Sequence, residues 1–99
     1  MKLSAAIRAG CAGSRQIFDR LFDEKDGRDV VGACMVGAGF PKLRFIHDFR
    51  EKYHAELRRP VKCPECIQSG PVEDILAHMN DMHKMSRELI ADFLESRDL

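Results

Sequence analysis

The sequence predicts a small, mainly α-helical domain that carries a zinc-finger-like Cys2His2 module, a zinc knuckle plus a helix, and ends in an amphipathic helix. Three observations carry that expectation. Cys63 and Cys66 are separated by two residues, eleven residues lead to His78, and four more lead to His83, close to the spacing of two-Cys, two-His zinc sites. Apolar residues recur at helical spacing in several runs. No βαβ pattern is visible that would argue for a parallel sheet. Residues 1–60 are expected to form a helical N-terminal part, and residues 61–99 the zinc-binding module and last helix, packed together as one domain.

The elements follow in chain order. Ser4 before Ala5-Ala6-Ile7-Arg8-Ala9 predicts a short capped helix ending near Gly10 to Gly13, with Leu3 and Ile7 facing the core. Ile17, Phe18, Leu21 and Phe22 predict an amphipathic turn or short helix over 14–22, and Asp26-Gly27 a turn after it. The stretch from Asp29 to Gly39 reads as a buried strand or as a helix of small residues. Helix is preferred, because Gly32, Ala33, Gly37 and Ala38 give it a smooth face for close packing and Gly39 suits its end. A phosphate-binding loop is excluded there by the missing Gly-Lys-Ser/Thr.

Pro41 opens a predicted helix from Lys42 to Arg58 with Ile46, Phe49, Tyr53 and Leu57 in one stripe. Pro60-Val61-Lys62 is expected to be extended and to pair with Ile67-Gln68 as a minimal hairpin. Gly70 as cap, Pro71 at the first helical position and Glu73 at the third predict a helix from about 71 to 83, lined by Val72, Ile75, Leu76, Met79 and Met82. His78 and His83 are then about 140° out of register on an ideal helix. The last turn must tighten or unwind to bring both rings to one ion. Ser86 should cap the final helix, which carries Leu89, Ile90, Phe93 and Leu94 and ends near Ser96. That apolar face is too large to leave in water and should fold back on the rest.

The expected ligands are Cys63, Cys66, His78 and His83, holding one structural Zn2+ ion. Two thiolates from a Cys-x-x-Cys turn stiffened by Pro64 and two imidazoles from the following helix complete a tetrahedron. A disulfide, a redox Cys-x-x-Cys motif, or unrelated thiols with surface histidines are the alternatives. The redox motif would leave both histidines unexplained. Cys11 and Cys34, among small apolar residues, read as inert core thiols. At 99 residues the core is marginal without help, and an ion worth about 10 kcal/mol of folding free energy should decide whether the C-terminal third folds. No apolar stretch is long enough to span a bilayer and no signal-type segment opens the chain, so a cytoplasmic protein is expected.

Net charge is zero but unevenly spread. Lys42 to Lys62 holds seven basic residues against three acids, and Val72 to Leu99 three against seven. A solvated helix face explains such runs more often than a site does. The candidate partner-binding residues are nevertheless Lys42, Arg44, Arg50, Lys52, Arg58, Arg59 and Lys62. Phe45, Phe49 and Tyr53 among them could stack on bases, although core packing is favoured.

Three functional classes compete. A DNA-reading finger is disfavoured by Ser69 where an aromatic is usual, by a helix starting so soon after Cys66 that a second strand hardly fits, and by Glu73 and Asp74 facing phosphate. Nucleic acid, if bound, would contact 42–62. His54-Ala55-Glu56 with Cys63-Pro64-Glu65-Cys66 echoes the zinc deaminase signature, but only six residues intervene. Four protein ligands also leave no open position for substrate, so no enzyme is expected. What remains is an adaptor that binds an unidentified protein partner through charged surfaces, with no membrane contact.

Cys63-Pro64-Glu65-Cys66, His78-Met79-Asn80-Asp81-Met82-His83 and the run from Ser86 to Leu94 resemble the C-terminal half of small two-Cys, two-His proteins encoded by bacteriophages and prophages. Lys2 to Arg8 and the small residues around Gly32-Ala33 are similar too. Gly39 to Pro60 is unmatched, and Phe93 stands where the similar proteins often carry Trp. The resemblance implies zinc and a phage or host bacterial cytoplasm and says little about activity; a partner encoded by the host is expected by analogy with small phage accessory proteins.

Overall fold

A computed structural model describes residues 1–99. Six helices and one two-stranded antiparallel sheet run in the order α1 (Leu3–Cys11), α2 (Val30–Gly37), a 3-10 turn (Leu43–Phe45), α3 (Ile46–Lys52), α4 (His54–Arg58), β1 (Pro60–Lys62), β2 (Ser69–Pro71), α5 (Val72–Asp81) and α6 (Arg87–Ser96). One cluster of 20 buried residues runs from Leu3 to Leu99. Both ends of the chain therefore share the same core.

Helices α1 and α2 pack at backbone distance, as the small residues of 29–39 predict. A Cβ added to Gly37 would sit 1.7 Å from the Ala6 carbonyl oxygen, and one added to Gly10 would sit 1.6 Å from that of Ala33. Only glycine permits this approach. Asp29, rather than any residue singled out beforehand, caps α2 by accepting from the Gly32 N–H at 2.7 Å. Gly39, at φ +95°, follows the end of α2.

Several expected elements are corrected. Ser4 does not cap α1 but lies buried inside it; Lys2 holds the cap position, and the Ser4 N–H donates to the Leu99 carbonyl at 3.1 Å. Residues 14–22 form no helix. They run as an irregular strap joined to Arg28 by isolated bridges from Gln16 and Phe22. The single helix expected from Lys42 to Arg58 is broken into three pieces, with the α3 to α4 break at Tyr53 (φ −106°, ψ 26°). Phe49, Tyr53 and Leu57 are still buried, so the stripe survives the break.

Helix α6 starts at its expected cap, the Ser86 hydroxyl accepting from the Leu89 N–H at 3.1 Å. It buries Ile90, Ala91 and Leu94 while Leu89 is 56% exposed. On its outer face Arg8 of α1 pairs with Asp92 and Glu95 at 2.7 and 2.8 Å, so α6 folds back on α1.

Candidate metal centre

The segment carrying the four predicted ligands has the order strand, turn, strand, helix. Strand β1 pairs with β2 in the register Pro60 to Pro71, Val61 to Gly70 and Lys62 to Ser69. The partner of β1 is thus 69–71 and not 67–68. A second strand of three residues does fit between Cys66 and the helix. The ladder is extended by the Cys63 N–H, which donates to the Gln68 carbonyl at 2.8 Å. This closes 63–68 into a knuckle with both sulfurs on one side.

Backbone N–H groups inside the knuckle reach the sulfurs. The Glu65 N–H lies 3.4 Å from Cys63 Sγ, and the Gln68 N–H lies 3.4 Å from Cys66 Sγ. Each N–H stands two residues after its cysteine, so the turn itself points one donor at each sulfur.

Helix α5 presents the first imidazole. It begins at Val72 with Pro71 in the cap position, because Gly70 is held in β2. Val72, Ile75, Leu76 and Met79 bury its inner face, and His78 sits in its last turns. The helix ends at Asp81. The Met82 N–H still reaches the His78 carbonyl at 2.9 Å, Lys84 turns left-handed (φ 52°), and the Met85 N–H returns to the Met79 carbonyl at 3.1 Å. This unwinding resolves the register mismatch, since His83 lies past the helix and is free of its geometry. Met82, expected on the apolar stripe, is instead 72% exposed at the turn.

The four side chains converge. Cys66 Sγ lies 3.2 Å from His78 Nε2, and His83 Nε2 lies 3.0 Å from His78 Nε2. The two rings stand at 83° with centroids 4.7 Å apart. One ligand atom from each of Cys63, Cys66, His78 and His83 falls within 4.8 Å of every other, close enough to hold one metal ion. Cys63 is buried and the other three are half-buried, so the centre sits at an edge of the core.

No other thiol joins this group. Cys34 is wholly buried and its thiol is pushed up to about 12 by burial. Cys11 is half-buried, not in the core as expected, and its thiol is also raised by burial. His54 lies apart from the centre. With Arg50, Leu57, Arg58, Glu73 and Asp74 it lines an open cleft of about 360 Å³ beside the start of α5.

The basic candidates divide in two. The Arg50 guanidinium donates to both Glu73 carboxylate oxygens, at 2.7 Å for the closest contact, and so ties α3 to α5. Lys52 lies over the Phe40 and Tyr53 rings, and Arg44 over Phe45. Lys42, Arg58, Arg59 and Lys62 are exposed and form no ion pair.

Residues missed by sequence reasoning tie the strap to α5 and α6 beside the centre. Asn80, between the two histidines, is wholly buried. Its amide donates to the Ile17 carbonyl (2.9 Å) and to Asp81 Oδ1 (2.8 Å), and its oxygen accepts from Gln16 Nε2 (2.8 Å) and the Val30 N–H (3.1 Å). Arg87, 8% exposed, donates to the Ser14 hydroxyl and carbonyl at 2.8 and 2.7 Å and to the Arg28 carbonyl at 3.2 Å. The only sequence signal was an Asn placed on the inner side of an amphipathic helix.

No protein-family model, curated protein or solved structure matches the chain. No helix is long and apolar enough to cross a membrane.

Proposed function

We propose that the chain is a zinc-stabilised accessory protein that works by binding another protein, its single Zn2+ ion serving structure. The observation that carries the metal is the convergence of four ligand atoms within 4.8 Å, on sulfurs that already accept backbone N–H groups. Zinc bond lengths place tetrahedral neighbours about 3.3 Å apart for two nitrogens and about 3.6 Å for nitrogen and sulfur. The separations of 3.0 and 3.2 Å are close to these edges. A set of two thiolates and two imidazoles is the donor chemistry zinc prefers, and four protein ligands close the site to substrate.

With the ligands assigned, β1, the knuckle, β2 and α5 take the order of a zinc finger. DNA reading by that finger is opposed by exposed Asp74 in the first turn of α5 and by Glu73, already occupied by Arg50. Binding to protein is supported by Ile67 and Met82, which are 89% and 72% exposed and each adjacent in sequence to a ligand. Single exposed apolar residues are ordinary; two flanking a metal centre favour a contact surface. The resemblance of both ends to phage-encoded proteins supports a bacterial cytoplasm and a host protein as partner.

Elemental analysis of freshly purified protein tests the metal, with one zinc per chain expected. Substituted cobalt should show the visible spectrum of a tetrahedral thiolate site. Protein that folds fully and carries no metal would overturn the reading. For the partner, affinity capture from bacterial lysate should enrich one protein that Ile67→Glu and Met82→Glu both lose. The second reading, a nucleic-acid-binding regulator, is favoured by unpaired Arg58, Arg59 and Lys62 on one short segment. It requires salt-dependent retention on DNA that disappears when these three become Glu.

A further inference from the structure

We propose that the metal centre is a redox latch: a peroxide oxidises Cys66 and Cys63 to a disulfide, the ion leaves, and the knuckle and the 82–85 turn loosen while the helical core stays folded. The proposal rests on the zinc reading above. Its first support is an asymmetry between the two sulfurs. Cys66 is half-buried and open to a small oxidant, whereas Cys63 is 2% exposed and sits behind it within 4.8 Å. This arrangement provides an attacked sulfur and a resolving sulfur in one turn.

The chemistry balances. The Cys66 thiolate attacks one peroxide oxygen, so that an S–O bond forms, the O–O bond breaks and hydroxide leaves. The Cys63 thiolate then attacks the Cys66 sulfur, so that the S–S bond forms, the S–O bond breaks and a second hydroxide leaves. Two thiolates lose two electrons, the peroxide is reduced, and two protons from solvent make both hydroxides water. A disulfide carries no thiolate charge and holds zinc poorly, so the ion departs with only His78 and His83 left to bind it.

The second support is what stays fixed when the ion goes. Helix α5 keeps Val72, Ile75, Leu76 and Met79 in the core, the Arg50 to Glu73 pair at its start and the Asn80 bonds near its end. Helix α6 keeps its Ser86 cap and the Arg87 contacts. By contrast His83 lies beyond the helix, held by the turn around Lys84. Loosening therefore stops at the knuckle and at this turn. The remaining thiols do not compete well, because Cys34 is wholly buried and burial disfavours the thiolate of Cys11.

The test treats zinc-loaded full-length protein with hydrogen peroxide and follows free zinc with a chelating dye. One zinc should be released for each Cys63–Cys66 disulfide found by peptide mass mapping. The far-UV circular dichroism of the helices should persist, and dithiothreitol with zinc should restore the starting state. A Cys11→Ser variant should release zinc at the same rate. Zinc retention under peroxide that oxidises a small-molecule thiol, sulfinate at Cys66 without the disulfide, or release accompanied by loss of helical signal would each overturn the latch. Zinc content is measured first. A chain holding one zinc that resists peroxide sinks the latch alone, and a chain holding none sinks the zinc reading with it.

Discussion

Two irregular stretches of this chain are fixed by opposite means. The knuckle at 63–68 brings Cys63 and Cys66 to a single point where they meet His78 and His83 and an ion can sit. The strap from 12 to 29 has no such point and is tied to the rest by single side chains reaching across the molecule. Asn80 holds Gln16, Ile17 and Val30; Arg87 holds Ser14 and Arg28. Both anchorages come from the same region, since His78 and Asn80 are two residues apart on α5 and address different sides of it. A metal gathers many restraints into one removable contact, whereas the strap spreads them over bonds that must be broken one at a time.

Metal removal is the largest expected effect and the most direct way to break the comparison. Zinc-finger modules gain about 10 kcal/mol on binding zinc, part of which is spent ordering the knuckle, so chelation should lower stability by several kcal/mol. The loss should be local. Hydrogen exchange should accelerate in 60–71 and 82–85 while amides of α1 and α2 keep their protection. Collapse of α1 and α2 on chelation would show the two regions to be one cooperative unit.

Asn80→Ala attacks the strap instead. It removes two donated and two accepted bonds and leaves buried partners unpaired, each worth about 1–3 kcal/mol, so a net loss of about 3–4 kcal/mol is expected in urea unfolding. Cobalt binding at the neighbouring centre should keep its spectrum. A variant that loses metal as readily as it loses stability would mean that Asn80 serves the ligands first. Arg87→Ala should act in the same direction with a loss of about 2 kcal/mol, since charge-assisted bonds contribute about 1.5–3 kcal/mol and the half-buried Ser14 hydroxyl, which accepts from Arg87, keeps the Gly10 and Cys11 carbonyls it donates to.

The same contrast explains what could be read from the sequence. The convergence of Cys63, Cys66, His78 and His83 was legible because sulfur and imidazole are rare donors and their spacing is local. The unwinding before His83 was legible because 140° of misregister has few remedies. The capping Ser86 and the small face of α2 follow from propensities of adjacent residues. The strap was not legible: Asn80 and Arg87 find partners 50 to 73 residues away, and Ile17, Phe18, Leu21 and Phe22 imitate a helical stripe that tertiary bonds override. Nothing at Lys52 to His54 announces the break at Tyr53, because no Gly or Pro stands there. The burial of the last residue, Leu99 at 4% exposure, likewise depends on where α1 ends up.

The smallest effect concerns the joint between strap and helix. Asp29 caps α2 from a buried position, and desolvation raises its carboxyl to about 6, against the opposing Gly32 N–H bond; Asp81 adds to the rise and Arg87 opposes it. An acid whose folded pKa exceeds its unfolded value near 3.9 holds its proton longer when folded, so its contribution to stability falls as pH rises from about 4 to about 6. The ceiling of that fall is about 3 kcal/mol, taken as roughly two pKa units at 1.4 kcal/mol each. Asn can also accept the Gly32 N–H but carries no charge, and its extra N–H groups need partners, so Asp29→Asn should gain about 1–2 kcal/mol at pH 7. Acid also strips metal from Cys and His ligands, which would mask the trend in either protein alone. The difference between wild type and variant at matched pH cancels that contribution. Taken from its value at pH 4, where both side chains are neutral and only the extra N–H groups of the amide tell against the variant, it should shift in the variant's favour to a plateau above pH 6; a difference independent of pH would mean that Asp29 is not held protonated and that its role is the cap alone.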